Sequence, residues 1–508
     1  MDFLKDLPVL VLGLGDSGLA MARWCLRHGA RVQVWDSRSE PPHAAALGDA
    51  AQRLTGPLDA ALAADVKLVL KSPGLAPHDQ RIAPLLQAAR ARGVAVLNEL
   101  DLFTRALAEL KAGAEAPYTP QVLAITGTNG KTTVTAMTSL LVARTGQRVA
   151  TAGNIGPTLL DTLTAQLDGP VEERAQVWVL ELSSFQLHGV AGFEPAAAAV
   201  LNLTQDHLDW HGSMQAYGDA KARIFGTQAL MVINADDPLV AAMVPVPVIP
   251  KGRKTPVEAP RAVCRFSLQA PQHAGDFGLV VENGMAWLVR ALPADETIKR
   301  KKGEADEIHL QRLMPADALR VRGRHNAANA LAALALATAI GCPLAPMLHG
   351  LREYTGEPHR VEPVGSIGGI EAFDDSKGTN VGATVAALEG LGADLAPGRI
   401  VVILGGDGKG QDFSPLVAPV QRFVRAVALI GRDAGTIGQA LQDTGVTMAT
   451  LATLPEATAW CFGQALPGDA VLLSPACASL DMFRNYGHRA EVFVGAVRDL
   501  ALARGEAA

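Results

Sequence analysis

The sequence has few aromatic residues and few cysteines, and it lacks a marked excess of charge of either sign. Aromatic side chains make up 5% of its 508 residues, whereas hydrophobic residues reach 49%. This composition suits helices packed closely on sheets better than an aromatic-rich β-sandwich, and it excludes a disordered chain. At about 150 residues per domain, the length predicts about three domains.

The charge balance excludes two classes of partner. The chain has 45 Lys and Arg against 51 Asp and Glu, which gives a formal net charge of −6. A protein of this size that bound nucleic acid over a broad surface, or a membrane through a polybasic anchor, would carry a clear excess of positive charge. We therefore expect neither nucleic acid nor a membrane among its partners.

The cysteines are too few and too scattered for a disulfide framework or a structural zinc site. Their number is odd, and no two of them form a CxxC pair. We expect five reduced thiols, at Cys25, Cys264, Cys342, Cys461 and Cys477.

Long apolar runs are also missing. The first residues lack a basic segment followed by a long apolar stretch, so we expect no signal peptide. The Ala- and Leu-rich residues 327–340 are too few to span a bilayer and predict a buried helix instead. Together these absences predict a cytoplasmic location.

The sequence does contain a repeated order of apolar run, glycine-rich loop and helix. Apolar runs at residues 8–12, 121–125 and 399–404 each lead into several glycines. Further apolar runs separate helix-length segments at residues 66–70, 94–97, 177–180, 197–203, 230–233, 426–430 and 470–473. Continuous apolar strands that alternate with helices are typical of parallel sheets covered on both faces. We predict an α/β fold with mostly parallel sheets.

Two segments resemble interdomain linkers, since residues 111–120 and 352–363 each contain glycine and two prolines. We therefore predict three domains, at residues 1–115, 116–356 and 357–508. Residues 251–320 differ from the rest, with a charge run at 299–304 and alternating segments at 279–281 and 286–289. They predict short antiparallel strands and an exposed loop.

The first glycine loop has the spacing of a dinucleotide-binding fingerprint. Gly13, Gly15 and Gly18 follow one predicted strand, and the next strand ends at Asp36. This pattern indicates a nucleotide diphosphate at a helix N-terminus, but it does not distinguish NAD from a UDP-linked ligand. Ser72 begins another loop, which we place at the same carboxyl edge of the sheet.

The second glycine loop, residues 126–132, resembles a P-loop, although Ile125 stands where the first glycine of that motif belongs. In such a loop Lys131 contacts the β- and γ-phosphates, and the Thr132 hydroxyl binds Mg²⁺. A hydride-transfer enzyme has no need of a P-loop, and a simple ATPase has no need of the first loop. Together the two loops indicate an enzyme that joins a nucleotide-linked substrate to another molecule with ATP.

Acidic and histidine residues follow two further strands. Glu181 ends one of them and is suited to hold a metal ion opposite the P-loop. His207 and His211 are four residues apart, so zinc is an alternative, but their position beside a P-loop favours Mg²⁺. Lys221 lies on a predicted helix and by itself would be interpreted as a solvated lysine.

Taken together, these segments resemble the Mur ligases. The resemblance rests on residues 126–133, 153–156, 181–187, 206–207, 220–221, 323–326 and 359–360. Segments 374–380, 404–409 and 474–481 are similar to those of the members that add D-glutamate, whereas the Asp-Asn-Pro-Arg motif of the diaminopimelate-adding members is absent. The resemblance covers nearly the whole chain except residues 251–320.

The resemblance implies a fold and a reaction. The fold would comprise a Rossmann-like N-terminal domain, a central P-loop ATPase-like domain and a Rossmann-like C-terminal domain. The reaction would join D-glutamate to UDP-N-acetylmuramoyl-L-alanine through an acyl phosphate, with ATP and two Mg²⁺ ions. We expect a monomer whose third domain closes when ATP binds.

The resemblance also implies roles for individual residues. ATP would be bound by Gly127, Thr128, Asn129, Gly130, Lys131, Thr132, Thr133, Asn326, Arg360 and Asp375. The UDP-linked substrate would be bound by Gly13, Gly15, Asp16, Ser17, Gly18, Asp36, Ser37, Arg38, Ser72, Asn154 and Ser183. D-Glutamate would be bound by Thr379, Lys409, Ser479, Leu480 and Tyr486.

The catalytic and metal-binding residues follow from the same resemblance. Thr132 and Glu181 would hold one Mg²⁺, and His207 with a carbamylated Lys221 would hold the second. Lys377 would lie near the γ-phosphate and the developing acyl phosphate. The implied catalytic set is Lys131, His207, Lys221 and Lys377.

Three alternatives remain at this point. A different Mur ligase or a folylpolyglutamate synthase would share the P-loop, but the third-domain motifs argue against both. An NAD-dependent oxidoreductase would use the first loop and leave Lys131, Glu181 and His207 without a purpose. A non-catalytic nucleotide-binding regulator would not need the full set of phosphate and metal groups.

Overall fold

The computed structural model describes residues 2–113, 117–246, 260–294 and 307–506. It confirms an α/β fold with mostly parallel sheets. The described chain divides into two compact units, which we treat separately. The first comprises Met1–Asn202, Leu208–Phe266 and Ala332–Gly350, and the second comprises Leu203–His207, Ser267–Leu331 and Leu351–Ala508.

The first unit begins with a five-stranded parallel sheet in the order β3-β2-β1-β4-β5. Its strands are β1 (Pro8–Leu12), β2 (Arg31–Trp35), β3 (Gln52–Leu54), β4 (Leu68–Lys71) and β5 (Ala95–Leu97). Its helices are α1 (Asp16–Arg27), α2 (Ala44–Leu47), α3 (Ala83–Ala91) and α4 (Glu99–Ala112). Strand β1 is central, so the glycine loop that follows it emerges at the middle of the carboxyl edge, as a doubly wound sheet requires.

A second parallel sheet completes the first unit, with strand order β11-β10-β9-β6-β8-β7. Its strands are β6 (Gln121–Thr126), β7 (Val149–Gly153), β8 (Val177–Glu181), β9 (Ala197–Val200), β10 (Leu230–Asn234) and β11 (Val263–Phe266). Its helices are α5 (Lys131–Arg144), α6 (Leu159–Asp168), α7 (Ser184–Leu187), α8 (Leu208–His211), α9 (Met214–Ala222) and α10 (Pro238–Ala241). Strands β6, β8 and β9 are adjacent, so the P-loop, Glu181 and the segment after β9 leave one edge of this sheet.

Antiparallel strands follow in the second unit, as the alternating sequence predicts. They are β12 (Phe277–Glu282), β13 (Met285–Pro293) and β14 (Ile308–Pro315), paired in chain order. The expected exposed loop with its charge run at residues 299–304 lies outside the described residues. Two helices come next in the chain, α11 (Arg324–Ala339) and α12 (Leu344–Glu353), whose residues 332–339 and 344–350 belong to the first unit. Helix α11 confirms the buried helix expected at residues 327–340, since Ala330–Leu334 and most of its later residues are buried.

The second unit ends with a six-stranded sheet in the order β15-β16-β20-β17-β18-β19, parallel except for β15. Its strands are β15 (Glu362–Ile367), β16 (Ile370–Asp374), β17 (Ile400–Gly405), β18 (Val424–Ile430), β19 (Thr447–Thr450) and β20 (Ala470–Leu473). Its helices are α13 (Val381–Leu395), α14 (Val417–Phe423), α15 (Ala434–Leu441), α16 (Leu454–Gln464) and α17 (Tyr486–Ala503). Buried apolar clusters on both faces of the sheet hold these helices in place.

Two elements differ from the sequence-based expectation. The run at residues 197–203 predicts one strand, but β9 ends at Val200 because the backbone of Leu201 and Asn202 turns to hydrogen-bond β6 and the P-loop. The third glycine loop does not lead straight into a helix as the first two do. Helix α14 begins only at Val417, after a short 3-10 turn at Ser414–Leu416.

No helix in the described part of the chain is long and apolar enough to cross a membrane. Within the same residues, all five cysteines are buried thiols outside any disulfide, as expected from their spacing. The expected boundaries near residues 115 and 356 stay predictions.

Candidate active site

A cleft of about 940 Å³ lies in the first unit at the carboxyl edge of the first sheet. It brings together most of the residues expected to bind the UDP-linked substrate. These are Gly13, Gly15, Asp16, Ser17, Asp36, Ser37, Arg38, Ser72 and Asn154. Loops from both sheets of this unit line the cleft, so a ligand in it would contact both.

The glycine loop after β1 is packed too tightly to accept side chains at two of its positions. Gly13 has φ +91°, a left-handed conformation that favours glycine. A Cβ on Gly18 would lie 1.9 Å from the Gly13 carbonyl oxygen, so this glycine allows α1 to approach the loop. Gly18 does not line the cleft; its role is to permit this close packing of α1 against the loop. A Cβ on Gly15 would meet nothing within 4 Å.

Asp36 holds this loop together. Its carboxylate accepts hydrogen bonds from the Leu14 N–H at 2.6 Å and from the Arg38 backbone and guanidinium at 2.8 Å. Burial alone would raise the pKa of Asp36, but the bonds from Arg38 and Leu14 outweigh it and lower the pKa to about 2. Asp36 is therefore ionised at neutral pH.

Asn154 and Ser183 approach the cleft from the second sheet. The Asn154 side chain donates to Glu181 Oε1 at 3.0 Å and lines the cleft. Ser183 does not line it. Its hydroxyl caps α7 by accepting from the Gln186 N–H at 3.3 Å, and Gln186 is the residue that faces the cleft.

Sequence reasoning missed Lys71, the last residue of β4. Its ammonium group is buried and donates to the carbonyl oxygens of Leu75 at 2.8 Å and Ser72 at 3.2 Å. Burial lowers the pKa of Lys71 to about 8. The Ser72 hydroxyl in turn donates to the Gly13 carbonyl at 3.2 Å. Lys71 therefore stabilises the loop that begins at Ser72, and this loop stabilises the glycine loop after β1. No sequence motif marks Lys71, since its role depends on this long-range packing.

The P-loop lies between β6 and α5, as expected. Gly130 has φ +82° and caps α5, and Gly127 has φ +155° with its would-be Cβ 3.0 Å from Leu201. Lys131 Nζ donates to the carbonyl oxygens of Gly127 at 2.9 Å and Thr128 at 2.8 Å. The lysine thus lies folded over the loop that would cradle phosphates.

Asn202, which sequence reasoning also missed, fixes the shape of the P-loop. Its side chain accepts from the Asn129 N–H at 2.8 Å and donates to the Asn129 carbonyl at 3.1 Å. Its carbonyl accepts from the Thr128 N–H at 3.0 Å. The sequence signal that could have identified Asn202 is an asparagine shortly after a strand that lies beside a P-loop.

Lys221 is buried against the P-loop, with 1% of its surface exposed. Its Nζ donates to the Gly127 carbonyl at 2.8 Å and lies 3.4 Å from the Thr126 hydroxyl. The Tyr217 ring lies 4.6 Å from the same Nζ, and the Tyr217 hydroxyl is 3.2 Å from that of Thr128. The structure thus brings this lysine to the phosphate-binding loop, where a solvated lysine would not be found.

The residues expected to hold Mg²⁺ offer suitable chemistry. Thr132 and Glu181 supply the hard oxygen donors that this ion prefers, and Glu181 is buried with one oxygen left beyond its bond to Asn154. A Cβ on Gly153 would lie 2.1 Å from the Glu181 carbonyl, so Gly153 allows β7 to pack here. His207 belongs to the second unit; it has φ +54°, and its ring lies 3.5 Å from the Asp206 carboxylate.

The second unit contains a cavity of about 490 Å³ that includes two of the expected nucleotide-binding residues, Asn326 and Arg360. The Asn326 side chain donates to the Arg322 carbonyl at 2.7 Å. Asp375 does not line this cavity; it is buried and accepts from the Ser474 hydroxyl at 2.6 Å. Burial raises the pKa of Asp375 to about 7, against the opposing effects of Ser474 and Arg360.

Three loops at the carboxyl edge of the third sheet contain the residues expected to bind D-glutamate. The loop after β17 pairs with the loop after β20, since Asp407 and Ala478 exchange backbone hydrogen bonds at 3.0 and 2.9 Å. Lys409, which has φ +52°, lies in the first of these two loops, and Ser479 lies in the second. Ser479 is buried, whereas the Leu480 side chain is 71% exposed.

The loop after β16 contains Lys377 and Thr379. Lys377 Nζ lies 3.8 Å from the centre of the Tyr486 ring, at the start of α17, in a cation–π contact. The His359 ring lies 6.0 Å from the same tyrosine, and its Nδ1 is 2.7 Å from the Asp374 carboxylate. The structure therefore brings Lys377 and Tyr486 together.

Arg489 is the third residue that sequence reasoning missed. It is 1% exposed, and its guanidinium donates to the Ser376 carbonyl at 2.8 Å and the Cys477 carbonyl at 3.1 Å. It thereby joins the loop after β16 to the loop after β20. Burial lowers the pKa of Arg489 to about 10, which leaves it charged at neutral pH.

Comparison with known families agrees with this arrangement of three successive ligand-binding regions. Residues 8–98 match the Mur ligase MurD-like N-terminal domain, residues 125–260 the Mur ligase middle domain, and residues 359–477 the Mur ligase glutamate ligase domain. The fold and the site thus define a Mur ligase.

Relatives that match over nearly the whole chain show which group of Mur ligases it belongs to. A UDP-N-acetylmuramoylalanine–D-glutamate ligase of Albidiferax ferrireducens is 61% identical, with 100% of this chain and 99% of the relative covered. One from Burkholderia mallei is 55% identical, with 98% of each chain covered. The chain belongs to the UDP-N-acetylmuramoylalanine–D-glutamate ligase family.

Solved structures share the fold at low sequence identity. The MurF ligase of Thermotoga maritima, solved in complex with ADP, has a TM-score of 0.57 at 15% identity, with 99% of this chain and 100% of that chain covered. The UDP-N-acetylmuramate–alanine ligase MurC of Thermotoga maritima has a TM-score of 0.53 at 21% identity, covering 97% and 99%.

Proposed function

We propose that this protein joins D-glutamate to UDP-N-acetylmuramoyl-L-alanine at the expense of ATP, a step in peptidoglycan synthesis. The products are UDP-N-acetylmuramoyl-L-alanyl-D-glutamate, ADP and phosphate. The observation that carries the proposal is the match over the whole chain to ligases named for this reaction, at up to 61% identity. The enzyme is an ATP-dependent ligase that forms a C–N bond.

The reaction begins with activation of a poor electrophile. The alanyl carboxylate of the UDP-linked substrate attacks the γ-phosphorus of ATP; a C–O–P linkage forms, the bond to ADP breaks, and an acyl phosphate results. The amine of D-glutamate then attacks the acyl carbon. The tetrahedral intermediate loses phosphate and a proton, and the amide bond remains.

The first cleft is assigned to the UDP part of the substrate. Its backbone N–H groups at the N-terminus of α1 suit a diphosphate, and Asp36 with Arg38 holds the loop in shape. Asn154 would contact the muramoyl-alanyl part, because it lines the cleft and also contacts Glu181 next to the P-loop. Ser183 supports this contact through its cap on α7.

The P-loop is assigned to the phosphates of ATP. Lys131 would leave the carbonyl oxygens of Gly127 and Thr128 and donate to the β- and γ-phosphates. Thr132 and Glu181 would hold one Mg²⁺, and bound Mg²⁺ reduces the repulsion between the anionic reactants. Asn326, Arg360 and Asp375 would bind the rest of the nucleotide.

Lys221 is assigned a carbamate. Its neutral amine would attack CO₂, forming an N–C bond and releasing one proton, so that a cation becomes an anionic oxygen ligand. With His207 this group would hold a second Mg²⁺. The burial of Lys221 against a phosphate-binding loop supports the assignment.

The amino-acid end of the site is assigned to the second unit. Lys409, Thr379 and Ser479 would bind the D-glutamate carboxylates, with Leu480 and Tyr486 beside them. Lys377 would leave the Tyr486 ring and donate to the transferring phosphoryl group. We further propose a cytoplasmic monomer; closure of the third domain on ATP binding stays a prediction.

Product analysis tests the function directly. The purified chain is incubated with ATP, Mg²⁺ and UDP-N-acetylmuramoyl-L-alanine, together with D-glutamate, L-glutamate or meso-diaminopimelate. We expect the mass of the amide product with D-glutamate alone. Product with either of the other amino acids but none with D-glutamate would overturn the specificity.

The carbamate has its own test. We expect Lys221→Ala to lose nearly all activity while its melting temperature shows a folded chain, because an oxygen ligand is missing. Acetate or another short carboxylic acid should restore part of the activity by replacing that ligand. Full activity of Lys221→Ala in the absence of acid would show that the carbamate assignment is wrong.

A further inference from the structure

A second cleft in the first unit is not used by the proposed reaction. It has a volume of about 650 Å³ and lies between α3 of the first sheet and α8 and α9 of the second. Five of its lining residues can carry positive charge, and Asp219 is the one carboxylate among the lining residues described. The positively charged or protonatable lining residues are His78, Arg90, His188, His211 and Arg223.

The cations around this cleft converge on one point. Lys71, Arg223 and Arg90 each act on His188 closely enough to lower its pKa, in addition to the larger effect of burial. Asp219 accepts a hydrogen bond from Gln215 at 2.8 Å, so it already has a partner. The cations outnumber this one carboxylate, and the repulsion among them is relieved when an anion binds between them.

The arginine side chains at the rim are available to a ligand. Among the residues that the structure describes, no hydrogen bond or ion pair engages the Arg90 guanidinium. The Arg223 guanidinium makes one long hydrogen bond, 3.4 Å, to the Val190 carbonyl. Guanidinium groups bind phosphate through paired N–H donors, which makes them suited to this anion.

Trp210 provides an observation independent of charge. It lines the cleft and is 8% exposed, and its buried indole N–H has no hydrogen-bond partner among the described residues. A buried donor without an acceptor is costly, and such groups commonly mark a place for a ligand or an ordered water.

We propose that this cleft is a binding site for a small phosphate-bearing anion, separate from the P-loop and from the substrate cleft. Arg90 and Arg223 would bind its phosphate oxygens. A ligand there would also contact the wall next to the P-loop, because the His211 ring lies 5.2 Å from that of Tyr217, whose hydroxyl reaches Thr128.

Calorimetric titration with pyrophosphate tests the proposal on the full chain. The P-loop is first filled with a non-hydrolysable ATP analogue and Mg²⁺, and the substrate cleft with UDP, so that neither can bind the probe. We expect one remaining site that weakens at least tenfold in the double variant Arg90→Gln/Arg223→Gln. Both side chains are exposed, so the variant should keep its melting temperature.

Arg92→Gln is the matched control, because Arg92 is exposed at the end of α3 but does not line the cleft. It should bind pyrophosphate as the unaltered protein does. The proposal is overturned if no site remains after the other two are filled, or if the remaining site is equally strong in the double variant.

Discussion

The two glycine loops of the first unit each connect a strand to the N-terminus of a helix, but their side-chain electrostatics are opposite. The loop after β1 is held by a carboxylate, Asp36, whose pKa is about 2. The P-loop after β6 instead has two lysines, Lys131 and Lys221, that donate to its carbonyl oxygens. A diphosphate ester needs only to be held, which backbone N–H groups can do, whereas a γ-phosphoryl group that is transferred needs mobile positive charge to stabilise it. We therefore propose that the loop after β1 is a binding loop and that the P-loop is a reacting loop.

The largest expected effect is in the reacting loop. Lys131→Met should lower kcat by roughly 1,000-fold, since the charge that stabilises the transferring phosphoryl group is lost. The KM for the UDP-linked substrate should change little, because that substrate occupies the other loop. Steady-state kinetics with each substrate varied in turn would measure both.

Lys5→Met is a suitable control for that variant, since Lys5 is exposed, lies outside the P-loop and does not line the substrate cleft. If Lys131→Met raised the KM for the UDP-linked substrate and left kcat unchanged, the division between binding loop and reacting loop would be wrong.

The second-largest expected effect comes from a substitution in the binding loop after β1. Gly18→Ala should raise the KM for the UDP-linked substrate by roughly 10- to 100-fold, because its Cβ would clash with the Gly13 carbonyl and displace α1 from the loop. Gly495→Ala is the control, because nothing lies within 4 Å of its Cβ position and Gly495 in α17 does not line the cleft. Equal KM values for the two variants would contradict the packing described for this loop.

The smallest effect concerns pH. Because burial lowers the pKa of Lys71 to about 8, its charge is lost above that pH while Asp36 stays ionised. We expect the KM for the UDP-linked substrate to rise roughly threefold above pH 8 as Lys71 holds its loop less firmly. In Lys71→Met the KM should be raised and independent of pH in this range.

Lys67→Met serves as the control, since Lys67 is exposed just before the same strand.

The free energy of unfolding should change with pH in the opposite direction from substrate binding. A lysine with a lowered pKa binds fewer protons in the folded state than in the unfolded chain. Its burial therefore destabilises the native state below pH 8, and this destabilisation disappears as the pH rises towards the pKa of lysine in the unfolded chain. A KM in Lys71→Met that rose above pH 8 as in the unaltered protein would assign the pH dependence to another group.

Sequence reasoning found the parts of the site that depend on local pattern. The strand, glycine loop and helix order located the loops at Gly13 and Gly127 because turns and helix N-termini impose their own residue preferences. The resemblance to the Mur ligases supplied Lys221, which pattern alone would have left as a solvated lysine. The match to full-length relatives confirms that resemblance.

The residues that sequence reasoning missed all act across long distances in the chain. Lys71, Asn202 and Arg489 each support a ligand loop through its backbone carbonyl or N–H groups. Backbone groups are present at every residue, so for Lys71 and Arg489 no pattern of side chains shows which of them need a partner. The early end of β9 has the same cause, since the residues after Val200 turn to hold the P-loop.

The central claim is that the two glycine loops serve one reaction, in which the phosphoryl group from the P-loop reaches the carboxylate of the substrate in the first cleft. The most direct measurement uses UDP-N-acetylmuramoyl-L-alanine labelled with ¹⁸O in its alanyl carboxylate, with ATP and D-glutamate. Phosphate released during turnover should carry one ¹⁸O atom, because an oxygen of the carboxylate leaves with the phosphoryl group. Unlabelled phosphate released together with the amide product would contradict the account.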